Sequence, residues 1–193
     1  DYESAKADFD KAISMDPKNY DRLIEIYEAL ADYGYREVGQ EYLQNVLNTD
    51  KKLDAYDSGR IYYYLGDYQK AYLALEEAKG KGGVDSYLYL GKAYAATGDY
   101  NYASSVYSNY LSKQGPDAEI YNQLGLCELA KKDYQKALEA FQAGKQIEGN
   151  SLMQTLSFNE IVAYEYLQDY QKAAVLLKAY LQNYPDDQAA IRE

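Results

Sequence analysis

The 193-residue chain has no histidine, which removes the commonest general base and metal ligand of proteins. It has one cysteine, Cys127, so an internal disulfide framework is excluded. With no histidine to activate it, and with Gly125, Leu126 and Leu129 around it, that thiol reads as a small core residue. Basic residues are scarce: 20 Lys and Arg stand against 31 Asp and Glu, and the formal net charge of -11 turns nucleic acid away as a partner. No apolar run approaches the roughly 20 residues that cross a bilayer, so membrane insertion of this stretch is not expected. No Gly-rich phosphate loop follows a strand-like run, and no residue cluster has metal-ligand spacing. Neither an enzyme activity nor a cofactor is therefore expected. The 47% apolar and 26% charged content is nonetheless that of a folded protein.

The chain is built on a repeat. The phrase Gly66-Asp67-Tyr68-Gln69-Lys70-Ala71 returns as Gly98-Asp99-Tyr100, as Lys132-Asp133-Tyr134-Gln135-Lys136-Ala137 and as Gln168-Asp169-Tyr170-Gln171-Lys172-Ala173, and Asp1-Tyr2 begins it once more. A small residue follows each phrase, at Ala5, Gly39, Ala71, Ala103, Ala137 and Ala173, with steps of 34, 32, 32, 34 and 36 residues. Four positions later stands a large apolar residue: Phe9, Leu43, Leu75, Tyr107, Phe141 and Leu177. Twelve positions before stand Tyr27, Gly59, Gly91, Gly125 and Ile161. Spacings of three, four and seven put these residues on one stripe of a helix, and each unit holds two stripes separated by a short polar turn. Each unit is thus a helical hairpin, and mid-helix glycines imply a close approach between its helices.

Through Leu90-Gly91, Tyr94, Ala103 and Tyr107, and again through Leu124-Gly125, Ala137 and Phe141, the chain resembles the tetratricopeptide repeat family over essentially its whole length. The resemblance implies an all-α fold, a right-handed α-solenoid of antiparallel helix hairpins. We expect one solenoid over 1–193: a half repeat at 1–19, repeats at about 20–51, 52–83, 84–117, 118–153 and 154–187, and the start of a further helix at 188–193. First helices are predicted near 20–33, 53–65, 84–97, 118–131 and 153–167. Second helices are predicted near 36–48, 68–79, 100–113, 134–147 and 170–183, with a lone one at 2–15. Pro17, Pro116 and Pro185 fall between hairpins. Gly80, Gly82 and Gly83 mark a junction where pitch or mobility would change.

The family's geometry places first helices along a concave face, and the repeat ruler then nominates a peptide groove. Its columns contain Tyr56, Leu88, Asn122 and Phe158, then Arg60, Lys92, Leu126 and Val162, with Tyr63, Tyr64, Tyr89, Gln123 and Asn159 beside them. Tyr56, Tyr63, Tyr64 and Tyr89 are not demanded by the repeat, and tyrosine offers contact area with a polar tip. Arg60 and Lys92 read either as a basic island for a carboxylate or as charges balancing Asp57 and Asp85. The lysine, asparagine and arginine set that holds chaperone tails in related proteins is not reproduced. Glu128 and Glu160 occupy columns that are normally apolar, and a bond to a neighbouring tyrosine hydroxyl is expected for them. The expected function is a protein-interaction scaffold that binds a peptide segment of a partner in the concave groove. Alternatives are the peptide-sensing half of a larger protein and a bacterial cell-envelope protein whose signal or lipid anchor has been removed. Both ends look cut, so weak self-association through the face of Ala5, Phe9 and Ala12 is also expected. Compartment is left open.

Overall fold

The computed structural model describes residues 2–78 and 80–192, with side chains from Lys6 onward. Among the described residues there are twelve helices and no strand. They gather into two compact units, Asp1–Gly82 and Gly83–Glu193, divided at the glycine-rich junction singled out in the sequence.

The first unit contains α1 (Tyr2–Met15), α2 (Tyr20–Asp32), α3 (Arg36–Thr49), α4 (Ala55–Tyr64) and α5 (Tyr68–Ala78). Hairpins pair α2 with α3 and α4 with α5. The second unit contains α6 (Val84–Ala96), α7 (Tyr100–Gln114), α8 (Ala118–Ala130), α9 (Tyr134–Lys145), α10 (Met153–Tyr166), α11 (Tyr170–Asn183) and the short α12 (Gln188–Arg192). Hairpins here pair α6 with α7, α8 with α9 and α10 with α11. Boundaries agree with the sequence reading to within two residues. The start of α4 is displaced from 53 to 55 because Asp54 serves as its N-cap, accepting a hydrogen bond from the Asp57 amide at 2.9 Å.

The recurrent Asp-Tyr dipeptide is a helix start. Asp99, Asp133 and Asp169 accept from the backbone N–H of Tyr102, Lys136 and Lys172, satisfying donors that the first helical turn leaves open. The tyrosine that follows each aspartate is the first residue of α7, α9 or α11. The residue before the aspartate must be left-handed. Gly66 and Gly98 sit there with φ of 80° and 83°, and Lys132 and Gln168 hold the same place with φ of 64° and 62°.

Inside the hairpins, large residues of second helices insert over glycines of first helices. A Cβ on Gly59 would stand 2.5 Å from Leu75 Cγ, and one on Gly91 or Gly125 would collide with the ring of Tyr107 or Phe141. Leu75, Tyr107 and Phe141 are the large members of the repeat ruler, and all three are fully buried. Burying a side chain of this size contributes roughly 1.5–3 kcal/mol. In the first unit, Leu23, Ile24, Tyr27, Leu43 and Ile61 form one core cluster, with Ile13 of α1 packed on it. In the second, Phe141 and Leu156 centre one cluster, and Ile161, Ala173, Tyr180 and Ala190 form another. Ala190 is the buried residue of α12, whose N-terminal amides at Ala189 and Ala190 donate to Asp187. On α1, Phe9 and Ala12 are half-buried, whereas the Ala5 side chain lies outside the described residues.

Candidate functional site

In the first unit the nominated residues Tyr56, Arg60, Tyr63 and Tyr64 all lie on α4. Arg60 is only 7% exposed. Its guanidinium donates to Asp21 and to Asp57, each at 2.5 Å, and lies 4.3 Å from the centre of the Tyr56 ring. Nε of Arg60 is buried and has no hydrogen-bond partner. Burial opposes the charged form of Arg60, but the bonds to Asp21 and Asp57 outweigh it and raise its pKa further. At Asp57 burial outweighs the guanidinium, and its pKa is raised above the usual carboxylate value. Arg60 is thus not a solvated charge; it is a buried cation already held by two carboxylates. Tyr56 also packs against the chain at Gly82, where an added Cβ would meet the ring at 2.7 Å.

Tyr63 and Tyr64 belong to a tyrosine network at the turn end of the two hairpins. Ring centroids lie 5.2 Å apart for Tyr27 and Tyr64, 5.5 Å for Tyr63 and Tyr64, and 5.7 Å for Tyr63 and Tyr68. The Tyr64 hydroxyl donates to Glu28 Oε1 at 2.5 Å. These side chains, with Asp32 and Arg36, line an open cleft of about 490 Å³. Tyr27 and Tyr68 read from sequence as repeat positions alone, and Arg36 went unnoticed. Glu28 stands 32 residues before Arg60, one repeat step from the nominated groove column, and Tyr27 is its neighbour in sequence, which is the signal that marks this end of the cleft.

In the second unit, Leu88 and Asn122 are buried and have little surface left to offer a ligand. Asn159 donates through Nδ2 to Asn122 Oδ1 at 2.8 Å, which joins α10 to α8. Lys92 pairs with Glu119 at 3.1 Å, and its ammonium lies 6.0 Å from the centre of the Tyr89 ring. Phe158 tilts against Tyr180 at 5.8 Å, Gln123 and Val162 are half-buried, and Leu126 is exposed.

The two carboxylates in apolar columns behave differently from expectation. Glu128 pairs with Lys131 at 2.9 Å, leaving Oε2 without a partner. Glu160 pairs with Lys145 at 2.6 Å and accepts from Gln142 at 2.9 Å. Lysines rather than tyrosine hydroxyls hold both, because a buried carboxylate is better met by a counter-charge than by a neutral donor. Cys127 is buried beside Glu128, and burial followed by that carboxylate pushes its thiol pKa up to about 12. Among the described residues no group of three or more Cys, Asp or Glu is placed to hold a metal ion, and no helix is long and apolar enough to cross a membrane.

Models of the tetratricopeptide repeat match residues 88–151, 158–187 and 1–19. No curated protein matches the sequence. Among solved structures, YrrB, described as a TPR protein with an unusual peptide-binding site, is similar with a TM-score of 0.62 and 21% identity, over 95% of this chain and 96% of that one. MamA from Desulfovibrio magneticus gives a TM-score of 0.63 at 18% identity, covering 89% and 98% of the two chains. A thermophilic TPR protein of Thermus thermophilus gives 0.67 at 16% identity, covering 89% and 94%. At these identities the likeness is one of fold.

Proposed function

Since the chain belongs to the tetratricopeptide repeat family, whose members are protein-interaction scaffolds, we propose that it binds a peptide segment of a partner protein against the first helices of its repeats. The observation that carries this reading is the tyrosine cleft of the first unit, into which Tyr63 and Tyr64 bring the aromatic surface nominated from sequence. Tyrosine rings supply apolar area at low entropic cost, and Glu28, Asp32 and Arg36 around them supply polar grips. YrrB offers a precedent for peptide binding on this fold. In the second unit the readiest groove contacts are Leu126, Gln123 and Val162, whereas Leu88 and Asn122 are buried. Arg60 acts here by tying the start of α2 to α4 through Asp21 and by packing on the Tyr56 ring, and it is not offered as a docking cation. Affinity for a flexible ligand is expected in the micromolar range, since the ligand is ordered on binding.

Panning a displayed peptide library against the protein, followed by titration of the selected peptides, tests the reading. Tyr63→Ala combined with Tyr64→Ala is expected to weaken binding by about ten-fold or more with the helical circular dichroism intact. Selected peptides that bind the double variant as tightly as the parent would remove the tyrosine cleft from the function.

A further inference from the structure

We propose that the first unit carries a second docking site, along α3, for an amphipathic segment of a partner protein bearing lysine or arginine. It shares no lining residue with the tyrosine cleft and stands independently of it. The site is an open cleft of about 670 Å³, within the range of roughly 300–1,000 Å³ usual for ligand clefts. Glu37, Glu41, Gln44 and Asn48 form one wall, and their spacing of four, three and four residues makes a single stripe of α3. The opposite wall is the corner between α4 and α5, with Tyr62, Leu65, Asp67 and Lys70.

Charge and chemistry select the occupant. Three carboxylates face one ammonium in the cleft, and that ammonium is already committed: Lys70 pairs with Asp67 at 2.6 Å and lies 5.4 Å from the centre of the Tyr62 ring. Glu37 and Glu41 are exposed and make no ion pair among the described residues, so the negative charge along α3 is uncompensated. Lys70 shows how a cation is received there, by a carboxylate on one side and an aromatic face on the other. A partner's lysine or arginine would take up the free carboxylates of α3, while an apolar neighbour in the same segment would rest on Leu47, Leu65 and the Tyr62 ring. The net charge of -11 adds long-range attraction for a basic segment. Bare polycations lack the apolar half of this match, and acidic segments are repelled.

Fluorescence anisotropy with labelled probe peptides of alternating lysine and leucine, of glutamate and leucine, and of lysine alone tests the site on the whole chain. The charge reversal Glu37→Lys with Glu41→Lys is compared with Glu25→Lys and Glu148→Lys, which alters net charge equally at exposed positions outside the cleft. The lysine–leucine probe is expected to bind the parent chain most tightly, to lose about ten-fold or more on the cleft reversal, and to change by less than about three-fold on the control reversal. It is expected to be indifferent to the Tyr63→Ala and Tyr64→Ala pair. Equal losses in the two charge reversals would show diffuse attraction and overturn the proposal. Equal binding of oligolysine would overturn it as well, and so would loss on the tyrosine substitutions.

Discussion

A guanidinium as buried as Arg60 persists only while its carboxylates hold it, and Asp57, at 18% side-chain exposure, depends on it in return. Arg60→Leu removes the cation and leaves Asp57 charged in a site that already disfavours the charge. The expected loss at pH 7 is about 3 kcal/mol, in the range for breaking one side of a buried pair. Its pH dependence has a defined sign. A carboxylate whose folded pKa is raised takes up a proton more readily when folded, so the penalty is present above that pKa and is relieved as pH falls through it. Urea titrations should therefore show a smaller gap between Arg60→Leu and the parent near pH 4 than near pH 7, and an equal gap at both would disprove the coupling. Cys127 offers a simpler check. With its pKa pushed up to about 12 by burial, it should stay unmodified by a thiol reagent at pH 8 in the native protein and react at once in denaturant.

Helix placement was legible in the sequence because four of the five full repeats spell out the start of their second helix. The Asp-Tyr phrase is an N-cap followed by the first helical residue, and the first-helix glycine and the large second-helix residue sixteen positions after it are the two sides of one contact. Gly125→Ala should therefore lose about 1–3 kcal/mol, since its Cβ would meet the Phe141 ring, and Phe141→Leu should recover part of that loss in the double variant. Thermal unfolding of the two single variants and the double variant measures it. The turn before the phrase gives the opposite sign. Lys132 and Gln168 hold a left-handed conformation that glycine adopts without strain in the sister turns, so Lys132→Gly is expected to be neutral or to stabilise by up to about 1 kcal/mol, whereas Gly98→Lys should destabilise. What the sequence could not show was pairing across repeats. The Asp21 to Arg60, Asn122 to Asn159 and Lys145 to Glu160 contacts join residues 39, 37 and 15 positions apart, and the ruler specifies helix faces without specifying which side chains on them meet. The buried state of Arg60, Leu88 and Asn122 was hidden for that reason, while the half-buried tyrosines Tyr63 and Tyr64 were nominated because the repeat does not demand them.

The first full repeat shows why legibility also falls along the chain. Its glycine stands on the second helix, at Gly39, and its ring on the first, at Tyr27, where a Cβ on Gly39 would come within 2.8 Å of the ring. Small and large partners are exchanged relative to the Gly91–Tyr107 and Gly125–Phe141 pairs, so the packing survives although the residue pattern is inverted. The stretch 20–87 lies outside the matched family models, yet α2 and α3 form the same kind of hairpin as the rest. In molecules of this kind each hairpin contacts its neighbours alone, and stability is approximately a sum of local terms. Lesions placed in different units should then act locally. Gly125→Ala is expected to lower amide hydrogen-exchange protection in α8 and α9 and leave α2 to α4 as in the parent, while Arg60→Leu does the reverse. The double variant should lose about the sum of the two single losses, because the substituted sites share no partner. A uniform drop in protection along the chain after either substitution would show instead that the repeats unfold as one cooperative block, and the local reading of their energetics would fail.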